Sequence, residues 1–196
     1  MRIVKPLAVL VLASLSSPPV QAAVLVNPDF ELGTPTGAFT TLPLNSTAIT
    51  VWTVTNTDID IVGTFWINHS GARGVDLDGL QPGCLAQTFA TVPGETYLLT
   101  FWLAGNPACG GPVKTGRVTA AGQFLDFTFN TTGHSRTAMG WVQKSFSFTA
   151  NAASTTLEFC STGSTVGCGP AIDDLRLDTE TPALPASWGQ VKSSYR

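Results

Sequence analysis

The chain has 196 residues, with 10 Lys plus Arg against 13 Asp plus Glu, a formal net charge of −3, and only 12% charged side chains. A mildly acidic chain without a basic run lacks the electrostatic footprint of a nucleic-acid binder, so no nucleic acid is expected as partner. The apolar run near the N-terminus is too short to span a bilayer, where roughly 20 apolar residues are needed, and no other segment supplies a membrane helix.

Residues 1–22 read as a secretory signal peptide. MRIVK is basic, PLAVLVLASL is a short apolar run, and SSPPVQA ends in small residues with Val20 and Ala22 placed as in an A-x-A cleavage site. The mature chain is expected to begin at Ala23. Losing Arg2 and Lys5 leaves 8 basic and 13 acidic side chains, a net charge of −5. Residues 23–178 fit one domain, long enough to bury about 70% of its unfolded surface. Four cysteines in an exported chain read as two disulfides. Cys84, Cys109, Cys160 and Cys168 form no C-x-x-C, and His69 and His134 stand alone, which excludes zinc spacing.

Short apolar alternations separated by turn residues predict strands rather than helices. Strands are expected near residues 49–55, 58–62, 74–78, 84–91 and 114–120, with VPGE and NTTGHS as turns or loops. GETYLLTFWLAG sets Tyr97, Leu99, Phe101 and Leu103 on one face and Trp102 on the other. FLDFTF aligns Leu125, Phe127 and Phe129, KSFSFTA aligns Phe146 and Phe148, and TTLEFC aligns Leu157 and Phe159. A last strand is expected over 171–177. About nine strands without an amphipathic helix predict an all-β antiparallel β-sandwich. Residues 179–196, with Pro182 and Pro185, read as a linker or disordered tail.

Strand parity points Cys84 and Cys160 outward if Phe89, Leu157 and Phe159 face the core, so these two suit a bridge between neighbouring strands. Cys109 and Cys168 lie in Gly/Pro-rich loops and remain as the other pair. Parity is blind to bulges and strand order, and the two other pairings stay open.

The adjacent acids of GCGPAIDDLRL, Asp173 and Asp174, raise the question of chemistry. Asp173 shares parity with Leu175 and Leu177 and is expected to point inward, where an ionised carboxylate needs a cation or several N–H donors. Adjacent strand residues face opposite ways, so this pair cannot address one sugar as the two carboxylates of a glycosidase do. Asp76 and Asp78 do share a face, yet a solvent-facing alternation explains them equally well. No nucleophile elbow or metalloprotease helix is present, and no catalytic residue is assigned. Sugar recognition needs an aromatic platform and a few polar groups. Trp66, Trp102 and Trp141 are the candidate platforms, with Asn68, His69, Asp78, Asn106 and His134 as the polar groups.

VNPDFELG, DIDIVGTFW, GVDLDG, LAQTFATVPGETYLLTFWLAGNP, FNTTGHS followed by MGW, FSFTA and GPAIDDLRL, in this order, resemble the bacterial choice-of-anchor C family. They are also similar to plant cell-wall proteins carrying a domain of unknown function. The resemblance implies a galactose-binding-type jelly roll, secreted, associated with polysaccharide or cell-wall surfaces and without catalytic activity. It favours Cys109 with Cys168. It also makes Glu31 and Asp173 the expected oxygen ligands of a structural calcium. PALPASW resembles the start of a Pro-Glu-Pro sorting signal but lacks the Glu and the apolar helix, so release as a soluble bacterial protein is expected. The sequence therefore reads as a secreted carbohydrate-binding module, with a protein–protein interaction domain and, behind it, a polysaccharide-active enzyme as rivals.

Overall fold

The computed structural model describes residues 24–34, 36–163 and 167–180. The expected signal peptide, and the tail beyond residue 180, lie outside them. Eleven strands occur and no helix is found among the described residues: β1 (Phe39–Pro43), β2 (Thr53–Asn56), β3 (Asp58–Val62), β4 (Gly74–Asp76), β5 (Cys84–Ala90), β6 (Thr96–Gly105), β7 (Val113–Ala120), β8 (Gln123–Asn130), β9 (Val142–Thr149), β10 (Ser154–Ser161) and β11 (Pro170–Thr179). All pairings are antiparallel. They build a six-stranded sheet, β1-β3-β4-β11-β6-β9, against a five-stranded one, β2-β5-β10-β7-β8. The all-β sandwich expected from the alternations is the fold observed, a jelly roll.

The core is apolar because one face of nearly every strand is. Tyr97, Leu99, Phe101 and Leu103 of β6 are all buried, and Phe101 meets Phe159 of β10 and Phe127 of β8 edge-on at 5.0 and 5.6 Å between ring centroids. Such aromatic contacts across the two sheets contribute beyond their buried area. Gly116 on β7 leaves room for the Phe127 ring: a Cβ there would come within 2.3 Å of it.

Four differences from the sequence reading concern the strands and their ends. β1 lies outside the expected strands; it is an edge strand, a place that tolerates Pro43. Of 49–55 only Thr53 onward is strand, and of 74–78 only Gly74–Asp76. β11 continues past residue 177, with Asp178 and Thr179 paired to Leu98 and Tyr97.

A β-bulge in β11 overturns the expected orientation of Asp173. Asp173 pairs with Trp102 and Arg176 with Thr100, so two residues, Asp174 and Leu175, stand opposite Phe101. Asp174 takes φ +47°, the left-handed conformation that opens such a bulge. Parity therefore breaks after Asp173, which shares the outer face of the sheet with Trp102 and does not point inward with Leu175. It is nevertheless fully buried, because the β3–β4 loop covers it.

Candidate functional site

The outer face of the six-stranded sheet is covered at its β1-β3-β4-β11 end by three loops, and the site lies beneath them. The first is the β3–β4 loop, residues 63–73. Its backbone is tied at almost every step: Phe65 N–H donates to Ala38 O, Ile67 N–H to Arg136 O, and the Trp141 indole N–H to Ile67 O. Two carboxylates then hold its far end. Asp173 Oδ2 accepts from Ser70 N at 2.8 Å and its Oδ1 from Asp174 N at 2.7 Å, while Glu31 Oε1 accepts from both Ala72 N and Arg73 N at 2.8 Å. Burial pushes the Asp173 carboxyl up to about 7, against the hydrogen bonds from Ser70 and Asp174.

This arrangement bears on the calcium that the resemblance implies. Both oxygens of Asp173 and one of Glu31 accept from N–H donors, the positive ends of peptide dipoles. Among the described residues, the one group of three side chains close enough to hold an ion is Cys84, Glu158 and Cys160, and two of those are joined in a disulfide. The donors around Asp173 and Glu31 make these two carboxylates a clamp on the β3–β4 loop.

The other two loops, β6–β7 and β10–β11, are joined by the Cys109–Cys168 disulfide; Cys84–Cys160 links register partners on β5 and β10. Lys114, on the core face of β7, is buried, and its ammonium donates to the carbonyls of both Cys109 and Cys168 at 2.8 Å. Burial pulls its pKa down, and the charges of Asp76 and Asp78 hold it up. Asp76 Oδ1 accepts from Asp78 N and Gly169 N, and its Oδ2 from the Asn106 amide at 2.8 Å. Asp76 and Asp78 are both fully buried, so the solvent-facing alternation expected of GVDLDG is not found. Burial pushes Asp76 up to about 7 despite three N–H donors. Gly169 is needed here, since a Cβ would come within 2.6 Å of the Asp78 carboxyl carbon.

Between these loops and the sheet is a cavity of about 110 Å³. Its aromatic walls are Phe39, Phe65 and Trp66, its acids are Asp60 and Asp76, and the disulfide loop closes one side. Phe39 and Phe65 meet edge-on at 5.4 Å and 75°, Phe65 and Trp66 at 6.0 Å and 61°, so the rings form inclined walls. Asp60 and Asp76 are register partners on β3 and β4. Asp60 is 8% exposed; its Oδ1 accepts from the Thr41 hydroxyl at 2.6 Å, and no described residue donates to Oδ2. Burial raises its pKa, opposed by Thr41 and reinforced by the charge of Asp58.

The residues singled out in the sequence fall into separate places. Trp66 is 3% exposed, its indole N–H bonded to Asn68 Oδ1, and Asn68 in turn donates to Gly63 O; both brace the loop. Trp102 offers no open platform, because His69 stacks on it at 3.8 Å and 16°. His69 also meets Trp141 edge-on at 6.2 Å and places Nδ1 3.3 Å from Asp174 Oδ2. Asn106 and Asp78 belong to the buried network beneath the disulfide. His134 packs on Phe129 in another loop, away from the rest. Missed in the sequence were Phe39, Asp60 and Phe65. The alternation of DIDIV did carry a signal: with Ile59 and Ile61 inward, Asp60 has to lie on the outer face.

A family model described as "Protein of unknown function (DUF642)" matches residues 23–178. Halomucin of Haloquadratum walsbyi is 30% identical over 155 residues, 74% of this chain, and the match spans 2% of halomucin's length. Among solved structures, an arabinose-bound α-L-arabinofuranosidase superposes with a TM-score of 0.55 at 13% identity, covering 83% of this chain and 27% of that one. A family 35 carbohydrate binding module from Clostridium thermocellum gives 0.48 at 15% identity, covering 72% and 99%. With residues 23–178 matched, the chain belongs to the DUF642 family of proteins of unknown function.

Proposed function

We propose that this protein is a secreted, non-catalytic module of the choice-of-anchor C type that binds polysaccharide or cell-surface glycan through the cavity on the outer face of its six-stranded sheet. The observation that carries this reading is the cavity itself, apolar and aromatic on its walls with a few convergent polar groups, the composition of sites that take hydroxylated rings or their substituents. Two disulfides suit an oxidising, extracytoplasmic setting, and no helix among the described residues is long and apolar enough to cross a membrane. Affinity electrophoresis through gels containing cell-wall polysaccharides tests it. The wild-type protein is expected to be retarded in at least one of them and Phe39→Ala to run freely; unretarded migration in every gel overturns the reading.

One observation favours a second reading. Asp60 and Asp76 lie side by side in the cavity, both with raised pKa values, as a glycosidase acid requires. Against it, both oxygens of Asp76 are held by three N–H donors, and cross-strand partners point the same way instead of facing each other across a sugar. Release of reducing ends from a retained polysaccharide, abolished by Asp60→Asn, would establish the enzyme in place of the binding module.

A further inference from the structure

We infer that the cavity walled by Phe39, Phe65 and Trp66 takes a protonated amine, so that the preferred glycan carries free amino sugars. This rests on the glycan reading above and narrows it. Size comes first. About 110 Å³ is less than the roughly 150 Å³ of a cavity that admits benzene, too little for a whole pyranose ring but enough for an ammonium group and the carbon bearing it. The ring stays outside, against Phe39, which is 48% exposed.

Charge comes second. Both ionisable groups lining the cavity are acids. The nearby cations are already engaged: Lys114 by the carbonyls of Cys109 and Cys168, and Arg136 on the face of Phe65 at 4.7 Å, with neither lining the cavity. Asp60, 8% exposed, keeps Oδ2 without a donor among the described residues, open to what enters the cavity. A neutral hydroxyl would give it one hydrogen bond and leave the charge uncompensated, whereas an ammonium supplies the hydrogen bond and the opposite charge together.

Ring geometry comes third. A sugar face stacks on a flat exposed platform, but these three rings stand at 75° and 61° to one another and Trp66 is almost wholly covered. Inclined aromatic walls over a carboxylate suit a compact cation, which is attracted to ring faces from several sides.

Isothermal titration of the full-length secreted protein with four probes tests the inference: glucosamine oligomers, N-acetylglucosamine oligomers, glucose oligomers and tetramethylammonium chloride. Glucosamine oligomers are expected to bind at least about ten-fold more tightly than the other two sugars, with Asp60→Asn losing about ten-fold and Phe39→Ala several-fold. Melting curves of both variants establish that they fold; Phe39 is on an edge strand and half exposed, so that variant serves if Asp60→Asn does not. Equal binding of all three oligomers overturns the amine and leaves the glycan reading standing. Tetramethylammonium binding that needs Asp60, with no oligomer bound, supports the amine site and overturns the glycan reading. No heat with any probe overturns both.

Discussion

Asp173 stands directly across from Trp102 on the outer face of the six-stranded sheet, and the β3–β4 loop closes over both: Ser70 N bonds the carboxylate and His69 stacks on the indole. One bulge thus makes the acid an anchor for the loop that walls the cavity.

Asp173→Ala removes the acceptor for Ser70 N and Asp174 N and leaves buried donors unpaired, at a cost of about 1–3 kcal/mol. Hydrogen exchange should show Ser70, Ala72 and Arg73 amides opening well before the β6 core, and Trp102 emission should shift as His69 leaves it. Unchanged protection at Ser70 would show that the loop is held by other means.

Melting curves recorded in calcium and in EDTA are expected to coincide, because the oxygens of Asp173 already face N–H donors. A calcium-dependent rise in Tm that Asp173→Ala abolishes would reinstate the cation in place of the clamp.

Stability should depend on pH with an unusual sign. Asp76 and Asp173 both have folded pKa values near 7, above the 3.8 of an unfolded aspartate, so ionisation works against the fold. Their stabilising contribution is complete below about pH 3.8 and is lost as pH rises through 7, by up to about 4 kcal/mol for each group. Urea titrations between pH 4 and 8 should show the midpoint falling with pH, and Asp76→Asn should flatten the slope. A midpoint that rises through this range would mean that the N–H donors outweigh burial.

The two disulfides close loops of comparable length, with separations of 59 and 76 residues, and removing either by paired Cys→Ser substitution should cost about 2–5 kcal/mol. Only loss of Cys109–Cys168 should also weaken glycan retardation, since these two cysteines border the cavity. Equal effects on binding would place the ligand elsewhere.

Gly116→Ala tests the core. Its Cβ would press into the Phe127 ring and toward Cys160 O, so a loss of roughly 1–3 kcal/mol and a lower Tm are expected. A neutral result would mean that Phe127 can swing aside.

Much of the fold was legible because a strand's two faces are written as an alternation. Phe101, Phe127, Phe146, Phe148, Leu157 and Phe159 all face inward as expected, and the outward parity of Cys84 and Cys160 agrees with the bridge between them. β1 was hidden because an edge strand pairs on one side only and tolerates Pro43. Trp102 illustrates a different limit: its position opposite Phe101 was readable, but its cover by His69, 33 residues away in the chain, was not.

Sequence alone therefore determined the sandwich and the identity of its core face, which follow from a period of two along each strand, and the division of the cysteines, which follows from that period and from Gly/Pro-rich loops. Tertiary structure decided the site. Asp173 changed face through a bulge that no local pattern announces, and Phe39, Asp60, Trp66 and Cys168 became neighbours through strand order and loop closure. Those contacts join residues far apart in the chain, and the free energy that selects them belongs to the packed domain, not to any segment of it.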